Sequence, residues 1–234
     1  MASLLHLDSA ANRSGESVSR ELTSLFAETW TAANGPGGYR YRDLAADPVP
    51  PLDTAYCTLG RRVERAGLLP PARVPELVAG PAEERAWALT APLIAELLAA
   101  DTVVIGAPMY NLSVPGLLKA WIDRVTFPGA FLDPADGGSL LRDTKVVVVS
   151  ARGGAYRPGT PGEPLDFHTP YLRAYVTRYG VAEGNLSFVT AELTVAGLMP
   201  HLAQHGDAAA GSLAAARAEV TALAAGRARA ASDT

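Results

Sequence analysis

Hydrophobic positions along this chain fall into two alternating patterns. Residues 102–107 (Thr-Val-Val-Ile-Gly-Ala) are apolar, β-branched and without alternation, as a strand buried on both faces of a parallel sheet reads. Residues 146–150 and 186–191 read the same way, and 3–7 and 39–44 complete a set of five strands. Between them the apolar positions recur at helical spacing. Val18, Leu22, Leu25, Phe26 and Trp30 line one face of a helix from Ser17. Trp87, Leu89, Leu93, Leu97 and Leu98 do so across 81–100. Val114, Leu117, Leu118, Trp121, Ile122 and Val125 follow Pro115, a residue suited to a first helical turn. Further helices are expected over 170–179 and from 199 or 207 to 225. Strand–helix alternation predicts an α/β fold: a five-stranded parallel sheet with helices on both faces.

Three stretches stand outside the pattern. Residues 45–80 are proline-rich and poorly periodic, and read as a long irregular segment of the functional or interfacial kind. Residues 127–143 form a Gly/Pro-punctuated excursion, and the alanine-rich end, 227–234, is expected to fray. No linker or repeat divides the chain, so residues 1–234 are expected to form one domain.

Composition adds exclusions. A content of 48% hydrophobic residues argues against disorder, and a net charge of −4 gives no general pull toward nucleic acid or an anionic membrane. One cysteine, Cys57, leaves no internal disulfide framework or Cys-rich zinc site. No apolar run approaches the ~20 residues that span a bilayer. Asp8 interrupts the first apolar stretch, so no secretory signal is read and a cytoplasmic location is expected.

In an open α/β sheet, ligands lie at the carboxyl ends of the strands. Three candidate loops leave those ends. The first, residues 8–19, holds Ser9, Ser17, Val18 and Ser19 at the start of a helix. Its amides and hydroxyls suit an anion, although Ser17 equally suits a plain helix cap. It lacks GxGxxG and GxxxxGK[ST], which argues against a dinucleotide Rossmann site and a P-loop. The second, Pro108-Met109-Tyr110-Asn111, offers contacts to a flat heterocycle or is an ordinary strand-to-helix turn. The third, Ala151-Arg152-Gly153-Gly154, lets backbone approach a ligand closely or is a tight turn with a solvated arginine. Their convergence on one sheet edge favours the binding reading. His6 reads as a packed core histidine, while His168, His201 and His205 have no metal-ligand spacing. Cys57 lacks a nucleophile's surroundings, GxSxG is absent, and Tyr156 and Tyr175 read as pocket or core aromatics.

The serine loop ending Ser17-Val18-Ser19, the segment PMYNLSVPGLLKAWIDRVTF, and ARGG followed by the TPYL of residues 169–172 together resemble the FMN-dependent NADH:quinone oxidoreductases, the bacterial azoreductases. The resemblance extends along nearly the whole chain. It implies a flavodoxin-like three-layer sandwich, FMN, and a homodimer with active sites at the subunit interface. It implies that Ser9, Ser17, Val18 and Ser19 hold the phosphate. Pro108, Met109, Tyr110, Asn111 and Leu112 would flank the isoalloxazine, and Ala151, Arg152, Gly153, Gly154 and Tyr156 its other edge. Three departures bear on the acceptor. Leu112 stands where the family usually has phenylalanine, Tyr156 where histidine is frequent, and 175–180 (Tyr-Val-Thr-Arg-Tyr-Gly) replace a more apolar aromatic stretch. They place Leu112, Tyr175 and Arg178 toward a substrate pocket and point to a specialised acceptor such as a natural-product quinone. The implied activity is ping-pong two-electron reduction of quinones and azo compounds by NADH or NADPH. The cofactor supplies the hard chemistry, and Tyr156 is the one candidate proton donor. A flavodoxin-type electron carrier and a non-catalytic flavin-binding module are the alternatives.

Overall fold

The computed structural model describes residues 2–226; the expected frayed tail, 227–234, lies outside them. In chain order the elements are β1 (Leu4–Asp8), α1 (Val18–Asn34), β2 (Tyr39–Asp43), α2 (Thr54–Arg65), α3 (Pro81–Leu98), β3 (Thr102–Gly106), α4 (Gly116–Val125), β4 (Lys145–Ala151), α5 (Thr169–Arg178), β5 (Leu186–Ala191) and α6 (Gly206–Ala224). The five strands pair in parallel in the order β2-β1-β3-β4-β5. That order is the flavodoxin-like one, with its switch of winding direction between β1 and β3. In register, Leu7 faces Ile105 and Asp8 faces Gly106.

Strand side chains alternate between two cores. Leu5, Leu7, Val103, Ile105, Val146 and Val148 join Leu118, Trp121 and Ile94 under α2–α5. Leu4, Val104, Val147, Val149 and Val189 join Leu22, Phe26 and Val220 under α1 and α6. The sheet is thus covered on both faces, which explains the unalternating apolar strands. The exception is β2, an edge strand whose Arg40 and Arg42 meet Glu96 and whose charges discourage further pairing.

The segment 45–80 differs from its expected irregularity. It contains helix α2, capped by Asp53, whose carboxylate accepts the Tyr56 N–H at 2.8 Å, and a 3-10 stretch over Pro71–Leu77. Tyr56, Leu59, Gly60 and Val63 bury one narrow stripe of α2 against the core. The run of charged residues from Arg61 to Arg65 and the flanking prolines mask that stripe in the sequence. Arg124, wholly buried in the last turn of α4, ties the segment down. Its guanidinium donates to the carbonyls of Pro50 (3.1 Å) and Pro51 (2.8 Å) and to Thr90 Oγ1 (3.3 Å), and it lies over the Tyr56 ring.

The excursion 127–143 packs against the end of α5. Ser139 Oγ donates to the Tyr179 carbonyl at 2.6 Å. Gly180 has φ +96°, and a Cβ there would lie 2.2 Å from Ser139 Cβ, so only glycine lets these two turns meet.

Candidate functional site

The carboxyl ends of β1, β3, β4 and β5 carry four loops joined by hydrogen bonds. At β1, both the Ser9 amide (3.1 Å) and its hydroxyl (2.6 Å) donate to the Gly106 carbonyl, so that hydroxyl is turned inward. Ser17 occupies the N-cap of α1 in extended conformation, yet its hydroxyl does not cap the helix. It lies 3.2 Å from Ser19 Oγ instead. The first intrahelical bond is Glu21 N–H to Ser17 C=O. The amides of Val18, Ser19 and Arg20 therefore precede the helical ladder, as in any first turn. Two hydroxyls and three amides at the positive end of a helix dipole make a cradle suited to phosphate.

A buried carboxylate that the sequence reading missed orients this cradle. Asp8, 2% exposed, accepts from Thr23 Oγ1 (2.8 Å) and Tyr41 Oη (2.9 Å) and lies 3.4 Å from an Arg20 nitrogen. A Cβ at Gly106 would fall 2.5 Å from Asp8 Oδ1, so the glycine in β3 gives the carboxylate its room. Burial, and then the Asp8 charge, raise the Tyr41 hydroxyl pKa, which keeps that hydroxyl a donor. Arg20 also holds Asp43 (2.7 Å) and the Ala10 carbonyl (2.8 Å). His6 is buried as expected, but in this polar group: Nδ1 is 3.0 Å from Tyr39 Oη and Nε2 is 3.5 Å from Asp8. The sign that pointed to the group was Asp8 itself, a charge closing an otherwise apolar strand.

β3 ends at Gly106, and its hydrogen bonds to β4 run on through Ala107. The turn from Tyr110 to Ser113 closes on itself, with Tyr110 N–H to Ser113 C=O at 2.9 Å and the return bond at 3.0 Å. Its central residues, Asn111 (φ +49°) and Leu112 (φ +72°), are both left-handed. Glycine and asparagine suit that geometry, and leucine does not. Tyr110 Oη accepts the Ala11 N–H at 3.2 Å, which couples this turn to the serine loop. Met109 N–H donates to the Ala151 carbonyl at 2.9 Å, which couples it to the third loop.

At β4, the Arg152 side chain is not solvated. It is 3% exposed and turned into the fold, where it donates to Asp166 (2.9 Å), Thr169 and Ser150 (3.2 Å). Arg152 thus fastens the loop 155–168 and leaves the Gly153-Gly154 backbone at the rim. Behind it, the carboxyl end of β5 supplies a fourth loop that the sequence reading left out. Glu192, 4% exposed, accepts the Tyr156 N–H at 2.6 Å, and Leu193 (φ +60°) donates its N–H to the Gly154 carbonyl at 3.2 Å. The rule that selected the other three loops, a position at the carboxyl end of a buried strand, also picks out Glu192. His168 is fully buried beside Arg152, and neither ring nitrogen has a hydrogen-bond partner. Burial, then the Arg152 charge, lower its pKa to about 4. The Asp166 charge, and less so the Ala107 backbone, act in the opposite direction.

Ser9, Ser17, Val18, Ser19, residues 108–112, 151–154 and Tyr156 therefore gather on one edge of the sheet. Tyr175 and Arg178 do not join them within one chain, because they lie toward the other end of α5. Tyr175 packs on the core with its hydroxyl 2.9 Å from Thr126 Oγ1. Arg178 lines a separate hollow of about 500 Å³, walled by Phe127, Phe131, Leu68 and Tyr179.

A family model described as a flavodoxin-like fold matches residues 2–218. The FMN-dependent NADH:quinone oxidoreductase of Nocardia farcinica is 45% identical over 203 residues, 87% of this chain and 88% of that protein. Its namesake from Streptomyces avermitilis is 39% identical over 204 residues, 87% of each chain. An azoreductase structure from Bacillus anthracis aligns with a TM-score of 0.77 at 21% identity, covering 97% of this chain and 100% of that one. The FMN complex of an FMN-dependent NADH-azoreductase from the same organism aligns at 0.74 and 20% identity, covering 96% and 98%. The two structures share the fold, and the sequence relatives carry the kinship further. The chain belongs to the flavodoxin-like family that includes the FMN-dependent NADH:quinone oxidoreductases.

Proposed function

We infer that this chain is an FMN-dependent NADH:quinone oxidoreductase that also reduces azo compounds. The observation that carries the reading is the junction of the serine cradle, the 110–113 turn and the 151–156 loop on one sheet edge. When bound, FMN supplies the two-electron chemistry that links NADH to the acceptor. The residues present fit it. The Ser17 and Ser19 hydroxyls, free of capping duty, and the Val18 and Ser19 amides would hold the phosphate. Pro108, Met109, Tyr110, Asn111 and Leu112 would line one side of the ring system. Gly153 and Gly154, without side chains, would let backbone donors reach its edge, where fixed dipoles stabilise negative charge. Tyr156, half-buried next to Gly154, stands nearest that edge and remains the one candidate to hold a proton.

The reading includes a homodimer. Leu165, Phe167, Leu198 and Met199 expose apolar surface on the loops at the carboxyl edge, with Phe167 57% and Leu198 79% exposed. Apolar surface gathered around a site usually meets a partner. In the dimer the hollow holding Arg178 in one copy faces the flavin loops of the other. Segment 45–80 contributes Glu64 and Leu68 to that hollow, which supports its interfacial role. No helix among the described residues is long and apolar enough to cross a membrane, and we place the enzyme in the cytoplasm.

The test is the purified protein's cofactor and its response to NADH. Mass spectrometry of the heat-released cofactor should give FMN, and NADH under nitrogen should bleach the flavin absorbance directly. Release of FAD, or a flavin that NADH leaves oxidised, would overturn the assignment.

A further inference from the structure

The loop after β5 grips the 151–156 loop at several points. The Arg152 carbonyl accepts both the Thr194 N–H (3.0 Å) and Thr194 Oγ1 (3.1 Å), and the Gly154 carbonyl accepts the Leu193 N–H (3.2 Å). Glu192 takes the Tyr156 N–H at 2.6 Å, a short bond of the charge-assisted kind. Between these fixed points, the amides of Gly153, Gly154 and Ala155 have no acceptor among the described residues. Successive amides of this kind are donors ready for a negative charge.

Glu192 is poorly placed for stability alone. Its Oε2 is buried and has no hydrogen bond. The guanidinium groups of Arg152 and Arg157 are each 3.9 Å away, beyond hydrogen-bond distance. Arg152 gives its hydrogen bonds to Asp166, Thr169 and Ser150 instead. A buried carboxylate paired so loosely costs stability, and an apolar side chain of similar volume often serves a fold as well or better. The one well-made bond of the Glu192 carboxylate goes to the loop that a flavin would meet.

We propose that Glu192 is a positioning residue: by holding the Tyr156 N–H, it keeps the amides of residues 153–155 presented to the flavin edge that gains negative charge on reduction. This rests on the FMN reading above. Donors fixed in advance favour the reduced cofactor over the oxidised one, because they need no rearrangement when the charge arrives. The Glu192 charge itself acts the other way, so what the residue contributes is the aim of the amides.

The test is the midpoint potential of the bound flavin in the holoenzyme. Set against that of free FMN, it gives the protein's preference for reduced over oxidised cofactor. In Glu192→Met, which fills the space without an acceptor, the preference should fall roughly three- to tenfold, with wild-type circular dichroism. That is a drop of about 14–30 mV for a two-electron couple. Glu192→Gln still offers an oxygen to the Tyr156 N–H and should keep at least the wild-type preference. Thr194→Val loses one donor to the Arg152 carbonyl and should shift the preference the same way by less; it carries the test if Glu192→Met does not fold. An unmoved potential in the folded variants would overturn the proposal. So would a loss of FMN affinity equal in both redox states, which would make Glu192 scaffold only. A fall in Glu192→Gln as large as in Glu192→Met would also overturn it, because the acceptor is still there. Wild-type protein that takes up no FMN would overturn the FMN reading and this proposal together, whereas an unmoved potential with FMN bound would overturn this proposal alone.

Discussion

Asn111 and Leu112 stand side by side in the left-handed region, in the loop that meets the expected flavin. Asparagine tolerates that conformation, whereas leucine is strained there by about 1 kcal/mol or more. At an ordinary position alanine stabilises relative to glycine; at Leu112 the order should reverse. Leu112→Gly should be more stable than Leu112→Ala by about 1 kcal/mol in urea denaturation of the FMN-free protein. If alanine is the more stable, the left-handed turn is wrong. The residue scale also predicts an acid dependence. His168 is held neutral by burial and by Arg152, with its pKa lowered to about 4 from an ordinary 6.5. Between those values the unfolded chain binds a proton that the folded chain refuses. Stability from this group is thus full above pH 6.5 and is lost as pH falls toward 4, by roughly 3 kcal/mol in total. His168→Gln should flatten the stability profile across that window. A wild-type profile already flat from pH 6.5 to 4 would count against the buried neutral imidazole. These two residues mark where sequence reading stops. The PMYN motif placed Leu112 in the site, but its backbone sign is fixed by the closed turn around it. His168 has no neighbour in sequence that announces Arg152.

Among the elements, those whose apolar stripe is long were legible. The helices α1, α3 and α4 and the strands β3, β4 and β5 agree with their sequence spacing to within one or two residues at most ends. Helix α2 was not legible, because four buried positions among charged residues carry a weak period. What secures α2 is tertiary: Arg124, from a helix some sixty residues later, reaches the carbonyls ahead of it. The guanidinium is buried among neutral acceptors and an aromatic ring, and among the described residues no carboxylate is bonded to it. It makes four hydrogen bonds to neutral acceptors, so a partial substitute should do poorly. Arg124→Met leaves the Pro50 and Pro51 carbonyls and the Thr90 hydroxyl short of a donor. It should destabilise by about 1–3 kcal/mol in denaturant melts. It should also expose residues 45–53 to limited proteolysis while the sheet persists by circular dichroism. A variant as stable and as protease-resistant as wild type would show that the segment is held by α2 packing alone.

For the whole molecule, the parallel sheet places the ends of four strands and their loops on one edge, and on the proposed dimer reading a partner completes that edge. Two of the residues expected around the acceptor, Tyr175 and Arg178, lie at the far end of α5, where the same chain's flavin loops cannot use them. One sequence supplies both surfaces, so a two-fold pair satisfies both at once, each copy offering its hollow to the other. The exposed Phe167 and Leu198 lie on the loops that such a partner would cover. Sedimentation should therefore give twice the chain mass at micromolar concentration. The double variant Phe167→Asp/Leu198→Asp would put carboxylates into that contact. Both side chains are exposed in the single chain, so the fold should survive, with wild-type circular dichroism. The variant should sediment as a monomer, and acceptor turnover should fall further than FMN binding does. On the proposed dimer reading, the phosphate cradle belongs to one chain and the hollow to the other. A variant that stays dimeric with full turnover would move the contact elsewhere on the surface. A monomer with full turnover would show that each chain completes its own site, and Arg178 would then have no part in it.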